Sequence, residues 1–195
     1  MTRNNISAYL KRLARLLTAI QVTSVQNKVL SLNRAAGEAV KTILAVRKNS
    51  RQVILVGNGG SAAIASHQAM DLWRTGGVRA LAFNDAVELT CLGNDFGYDK
   101  VFSKPVEMFA EKGDLLLAIS SSGRSLSILN AVRSARKKGC SVMTFSGFAP
   151  DNPLRALGDL NFYVASDVYG LVEAAHLALI HAISDGVSGA TKARL

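Results

Sequence analysis

A doubly wound α/β sandwich, in which three layers surround a five-stranded parallel sheet and further helices precede it, is the fold class the sequence predicts. Two observations carry the prediction. After Gln52 the chain breaks into short, almost wholly apolar runs at 53–56, 80–83, 115–119, 141–145 and 160–164, the pattern of strands buried on both faces. Helical patterns at 62–73, 87–92, 125–138 and 169–187 lie between and after them, giving the strand–helix rhythm of a parallel sheet covered on both sides.

Residues 9–47 read differently. Leu10, Leu13, Leu16 and Leu17 recur at helical spacing, as do Val29, Leu30, Leu32, Val40, Ile43, Leu44 and Val46, which predicts two helices. With 195 residues and 49% hydrophobic content, the chain is long enough for one continuous core and too short for two independent ones. Residues 1–195 therefore read as one domain, with 1–50 as its N-terminal helical segment.

Composition excludes several roles. The longest apolar runs, such as 115–119, fall far short of the roughly 20 residues needed to span a membrane. The N-terminal stretch interleaves Lys11, Arg12 and Arg15 with its leucines instead of presenting an unbroken apolar segment, so a cytoplasmic location is expected. Cys91 and Cys140 show no paired spacing and read as reduced core residues. The net charge of +9 favours anionic ligands in general. Its basic residues are scattered without interleaved aromatics, so nucleic acid is not an expected partner.

In doubly wound sheets ligands bind where the turns leave the carboxyl ends of the strands. The first such turn reads Gly57-Asn58-Gly59-Gly60-Ser61. Glycines admit an anion close to the backbone, and the following helix offers unpaired N–H groups and a positive dipole end. The glycine spacing matches neither the dinucleotide fingerprint nor a P-loop. The second turn reads Ser120-Ser121-Ser122-Gly123-Arg124-Ser125. One serine suffices to cap a helix, and a run of them can donate several hydrogen bonds to phosphate oxygens.

Candidate acid, base and metal groups lie on two predicted helices. His67 and Asp71 are four residues apart and Glu173 and His181 eight apart, so each pair can share a helix face. Two imidazoles and two carboxylates are zinc-capable if those helices meet. His176 points away from Glu173 by helical geometry and reads as structural.

The GNGGS and SSSGRS turns together resemble the SIS (sugar isomerase) family, whose fold is flavodoxin-like, and Cys91–Phe102 resembles the GND-aromatic-GY stretch of the phosphoheptose isomerases within it. The resemblance implies that Ser61, Ser120, Ser122 and Ser125 hold a sugar phosphate, with Asn58, Gly59 and Asp95 near the sugar. Asp167 also matches an acidic position of that family. It further implies one zinc ion per subunit held by His67, Asp71, Glu173 and His181, with Asp71 and His181 as the acid–base pair and Glu173 also touching substrate. Three positions depart from the family: Asp71 stands where Glu is usual, Glu173 where Gln is usual, and Ile64 where Asp is common. Activity implied by the resemblance is the aldose–ketose isomerisation of sedoheptulose 7-phosphate to D-glycero-D-manno-heptose 7-phosphate in surface-glycan synthesis, by a homotetramer built on the N-terminal helices. Two alternatives are an isomerase of another phosphosugar and a non-catalytic SIS protein that binds the replication initiator. The acidic Asp71 favours an enzyme, since that binding relative lacks a carboxylate there.

Overall fold

The computed structural model describes residues 5–192. Helix α1 (Ile6–Thr18) leads into strands β1 (Gln21–Ser24) and β2 (Val29–Leu30), then α2 (Leu32–Lys48), β3 (Gln52–Gly57), α3 (Gly60–Arg74) and β4 (Arg79–Ala82). The chain continues through α4 (Ala86–Phe96), α5 (Ser103–Phe109), β5 (Leu115–Ser120), α6 (Leu126–Lys137), β6 (Ser141–Ser146), β7 (Leu160–Tyr163) and α7 (Tyr169–Lys192). Sheet order is β2-β1-β7-β6-β5-β3-β4.

The five expected strands, β3 to β7, all pair in parallel. Alternation divides their side chains between two cores. Val53 and Leu55 of β3, with Leu115, Leu117 and Ile119 of β5, face residues of α2, α3 and α7. Ile54 and Val56, with Leu116 and Ala118, face Val106 of α5 and Ile128, Ala131 and Val132 of α6. Both faces of every central strand are covered, which is why those strands read as unbroken apolar runs.

The N-terminal segment departs from the sequence reading. Val29 and Leu30 belong to a strand and not a helix, and β1–β2 form an antiparallel hairpin docked on β7 through Val22↔Phe162. The sheet is thus seven-stranded, and the hairpin covers the β7 edge that a five-stranded sheet would leave unpaired. On either side of the hairpin, the helices α1 and α2 stand where the periodicity put them. Cys140 is buried as expected and Cys91 is exposed on α4, because α4 carries no buried residues.

The direction in which the chain winds reverses beside β3. From β3 the chain moves outward to β4, then returns past it to β5 on the other side. The turns after β3 and β5 therefore open side by side at the switch point, where such sheets bind ligands.

On α7, His176 is wholly buried, with Nε2 3.1 Å from the Ser146 carbonyl oxygen, to which it donates. Burial pushes its pKa from the usual 6.5 down to about 4. Below pH 6.5 the unfolded chain takes up a proton that the folded chain refuses, so stability is full above that pH and lost as pH falls towards 4. The accumulated loss from this one group is about 3 kcal/mol. Urea unfolding at pH 7 and pH 4.5 should show it, and H176Q, which keeps an N–H donor without a titrating ring, should reduce the difference; an undiminished difference would assign the acid sensitivity to other groups.

Candidate active site

The two turns at the switch point enclose a cavity of about 130 Å³ lined by Asn58, Ser61, Ser120, Ser121, Ser122, Ser125, Tyr169 and Glu173. That is room for roughly four waters, or for one tetrahedral oxyanion. Gly123, at φ 62, turns the second loop back, and a side chain there would overlap the Asn152 amide. The N-termini of α3 and α6 both open at these turns, adding their positive dipole ends.

Each hydroxyl has a defined task. Ser120 Oγ accepts from the Gly123 N–H at 3.2 Å and Ser122 Oγ from the Arg124 N–H at 3.3 Å, which leaves both O–H groups available as donors. Ser125 occupies the N-cap of α6 without a side-chain capping bond. Its oxygen instead accepts from Asn58 Nδ2 at 2.9 Å. Ser121 is buried, and its Oγ has no hydrogen-bond partner among the described residues. An unpaired buried hydroxyl costs about 1–3 kcal/mol, a cost that an incoming acceptor would relieve.

The second group of expected residues gathers further along the seam between α3 and α7. Asp71 Oδ2 lies 3.2 Å from His67 Nε2 and 3.6 Å from His181 Nδ1. The two imidazoles meet edge to face, with centroids 5.0 Å apart. Arg74 Nη2 takes the other carboxylate oxygen, Oδ1, at 3.2 Å. Asp71 is the enclosed member, its side chain 13% exposed against 49% and 36% for the histidines.

The candidate ligand atoms of His67, Asp71 and His181 lie within 4.8 Å of one another. Two imidazole nitrogens and a carboxylate oxygen form a borderline donor set suited to a zinc-like divalent cation, with coordination positions left over for substrate. The residues present fit such an ion.

Glu173 does not join this trio among the described residues. It lies two helical turns back along α7, where it lines the serine cavity and also a second cavity of about 330 Å³ bounded by Gly60, Ala63, Ile64, His67, Gly170, Ala174 and Leu177. Glu173 is thus the wall common to the anion cradle and the groove that reaches His67. Asn58 and Ser61 line the cradle as the motifs suggested, and Gly59 is the N-cap of α3 at φ 55.

Asp95 and Asp167 stand apart from these cavities. Asp95 is exposed on α4, where it accepts from Asn94 Nδ2 at 2.9 Å. Asp167, its side chain 88% exposed, pairs with Arg12 at 3.5 Å. Sequence reasoning missed Ser121 and Tyr169 as cavity residues. The serine run pointed to the former, but nothing in it marked which hydroxyl would be buried without a partner.

The cradle at the switch point, with an acid–base cluster beside it, marks a phosphosugar-handling protein of the SIS class. The chain matches the SIS domain family over residues 8–147, and it belongs to that family. A phosphoheptose isomerase from Bradyrhizobium sp. strain BTAi1 is 39% identical over 166 residues, covering 82% of this chain and 83% of the relative. A phosphoheptose isomerase from Campylobacter concisus is 40% identical over 151 residues, covering 73% and 78%. Among solved structures, a phosphoheptose isomerase from Neisseria gonorrhoeae superposes with a TM-score of 0.83 at 29% identity, covering 96% of this chain and 99% of the other. One from Francisella tularensis gives 0.81 at 25%, covering 96% and 98%.

Ser121 separates an anion cradle from an ordinary turn. S121A removes an unpaired buried hydroxyl, so the melting temperature should hold or rise, while affinity for inorganic phosphate, measured by calorimetry, should drop about tenfold. Unchanged phosphate affinity would remove Ser121 from the cradle.

Proposed function

We propose that the protein is an aldose–ketose isomerase that interconverts sedoheptulose 7-phosphate and D-glycero-D-manno-heptose 7-phosphate. The observation that carries this reading is the continuity of the site: the serine cradle, Glu173, and the His67–Asp71–His181 cluster follow one another along the α3–α7 seam. A phosphate seated in the cradle points the rest of a sugar chain along the groove towards the imidazoles and carboxylate. The likeness to phosphoheptose isomerases over most of both chains supports the choice of substrate.

Isomerisation moves a proton from C1 to C2 through an enediol while the oxygens exchange theirs, so a base, an acid and oxyanion stabilisation are all needed. Asp71 takes the carbon-bound proton in this reading. Its Oδ1 is held by Arg74 and its Oδ2 is turned to the imidazoles, which fixes the carboxylate without a glutamate's extra methylene. His181, 3.6 Å from that same oxygen, exchanges protons with the sugar oxygens in this reading. Zinc, when bound by His67, Asp71 and His181 with Glu173 nearby, would supply Lewis-acid polarisation of those oxygens. Ser61, Ser120, Ser122 and Ser125 anchor the phosphate.

The chain acts as one SIS domain, in the cytoplasm, in surface-glycan synthesis. It assembles as a homotetramer through residues 1–50. Support for an assembly comes from α1, which has no buried residues while Ile6 and Leu10 are 72% and 56% exposed. Among the described residues no helix is long and apolar enough to cross a membrane.

Incubation of the purified protein with sedoheptulose 7-phosphate, with and without chelator, should give aldose formation that chelator suppresses and added zinc restores. D71N should lower kcat by about 1,000-fold without moving the unfolding midpoint appreciably. Turnover by D71N at the wild-type rate would take Asp71 out of the chemistry. Absence of turnover in the wild type, together with binding to the replication initiator, would establish the non-catalytic alternative.

A further inference from the structure

We infer that Tyr98 is a positioning residue of the cradle: its hydroxyl fixes the Asn58 amide so that the Ser125 hydroxyl is left to donate into the cavity. The inference rests on reading that cavity as the phosphate site. Tyr98 does not line the cavity itself. Its Oη donates to Asn58 Oδ1 at 2.7 Å, and the other end of the same amide, Nδ2, donates to Ser125 Oγ at 2.9 Å and Ser127 Oγ at 3.0 Å.

The two ends of an asparagine amide have nearly the same shape and opposite polarity. Which end faces the serines is therefore set by hydrogen-bond partners and not by packing. A phenol donates more strongly than it accepts, so Tyr98 holds the oxygen on its own side and turns the NH₂ towards Ser125 and Ser127. Ser125 Oγ already accepts from Asn58, and the one other acceptor beside it is Ser127 Oγ at a long 3.5 Å, so its proton is free to turn to a ligand. Were the amide reversed, Oδ1 would accept that proton and withdraw it from the cradle.

The arrangement is braced from both sides. Asn130 of α6 donates to the Asp99 backbone carbonyl at 2.9 Å, tying the 98–100 turn to the same helix that presents Ser125 and Ser127 at its start. Tyr98 is 58% exposed, so loss of its hydroxyl leaves the core intact.

Three variants test the inference: Y98F, S125A and their combination, each titrated with inorganic phosphate by calorimetry, melted, and assayed on the sugar phosphate. Y98F should weaken phosphate binding about tenfold and raise KM to match, with kcat and melting temperature unchanged. Because Tyr98 acts through Ser125, the double variant should bind phosphate no worse than S125A alone. Additive losses in the double variant would overturn the inference. So would a Y98F protein that melts lower yet binds phosphate as the wild type does, which would make Tyr98 structural only. A wild-type protein that neither binds phosphate nor turns over the sugar would instead sink the reading of the cavity, whatever Tyr98 does.

Discussion

Packing of α3 against α7 is the constraint on which the site depends. At Gly60 a single added methyl would overlap the Glu173 carboxylate, so the side chain of Glu173 reaches from α7 to the first turn of α3. Lower along the seam, Ser184 Oγ donates to Gln68 Oε1 at 3.1 Å and Ser188 Oγ to Thr75 Oγ1 at 2.9 Å. These buried bonds fix rotation and translation of one helix on the other as apolar contacts alone would not. Only with that register fixed do residues 67 and 71 of one helix meet residue 181 of the other. The same register makes Glu173 the shared wall of the two cavities.

The seam is not built for stability alone. Gln68 is fully buried, and its Nε2 has no partner among the described residues, a cost of about 1–3 kcal/mol for an amide hydrogen left unpaired. An all-apolar seam would avoid that cost, but would leave Asp71 without the polar neighbours that hold it. Asp71 also answers the chief departure from the family pattern. An aspartate is one methylene shorter than the usual glutamate, yet here its Oδ2 still reaches both imidazoles, at 3.2 and 3.6 Å. Arg74, three residues on along the same helix, steadies the remaining oxygen. The cluster thus keeps its contacts despite the shorter side chain.

How far the sequence reveals this arrangement depends on which physical signal each element leaves. The five parallel strands are legible because two-sided burial demands apolar residues at every position: all six residues of β5 are buried. The hairpin leaves no such trace. Gln21–Ser24 has one fully buried residue, and β2 is two residues long with Val29 78% exposed, so its valine and leucine pass for part of a helical stripe. At the site, helical spacing correctly pairs His67 with Asp71. It cannot separate Glu173 from His181, because a shared helix face says nothing of which neighbours each turn meets. Ser121 and Tyr98 escape for a related reason: their roles lie in hydrogen bonds made or left open across the fold. Asp95 and Asp167 were drawn from resemblance, and the described structure sets both at the exposed surface.

Charge explains why the cradle takes this form. Among the described residues no lysine or arginine lines it, and the one carboxyl that does, Glu173, would by itself repel an anion. The +9 net charge can draw anions towards the protein over a Debye length of about 8 Å at physiological salt. It cannot select one, and Arg124 beside the serine loop is paired with Asp151. In the phosphate site proposed above, selection would fall to neutral groups: the serine hydroxyls and the dipole of a helix start, which carries about half a positive charge. Glu173 rests against the start of α3 at Gly60, so that helix end is already facing a carboxylate. The start of α6, where Ser125 accepts from Asn58, is the end left open to an anion, so in the proposed phosphate site the polarity of a single amide would matter to the whole.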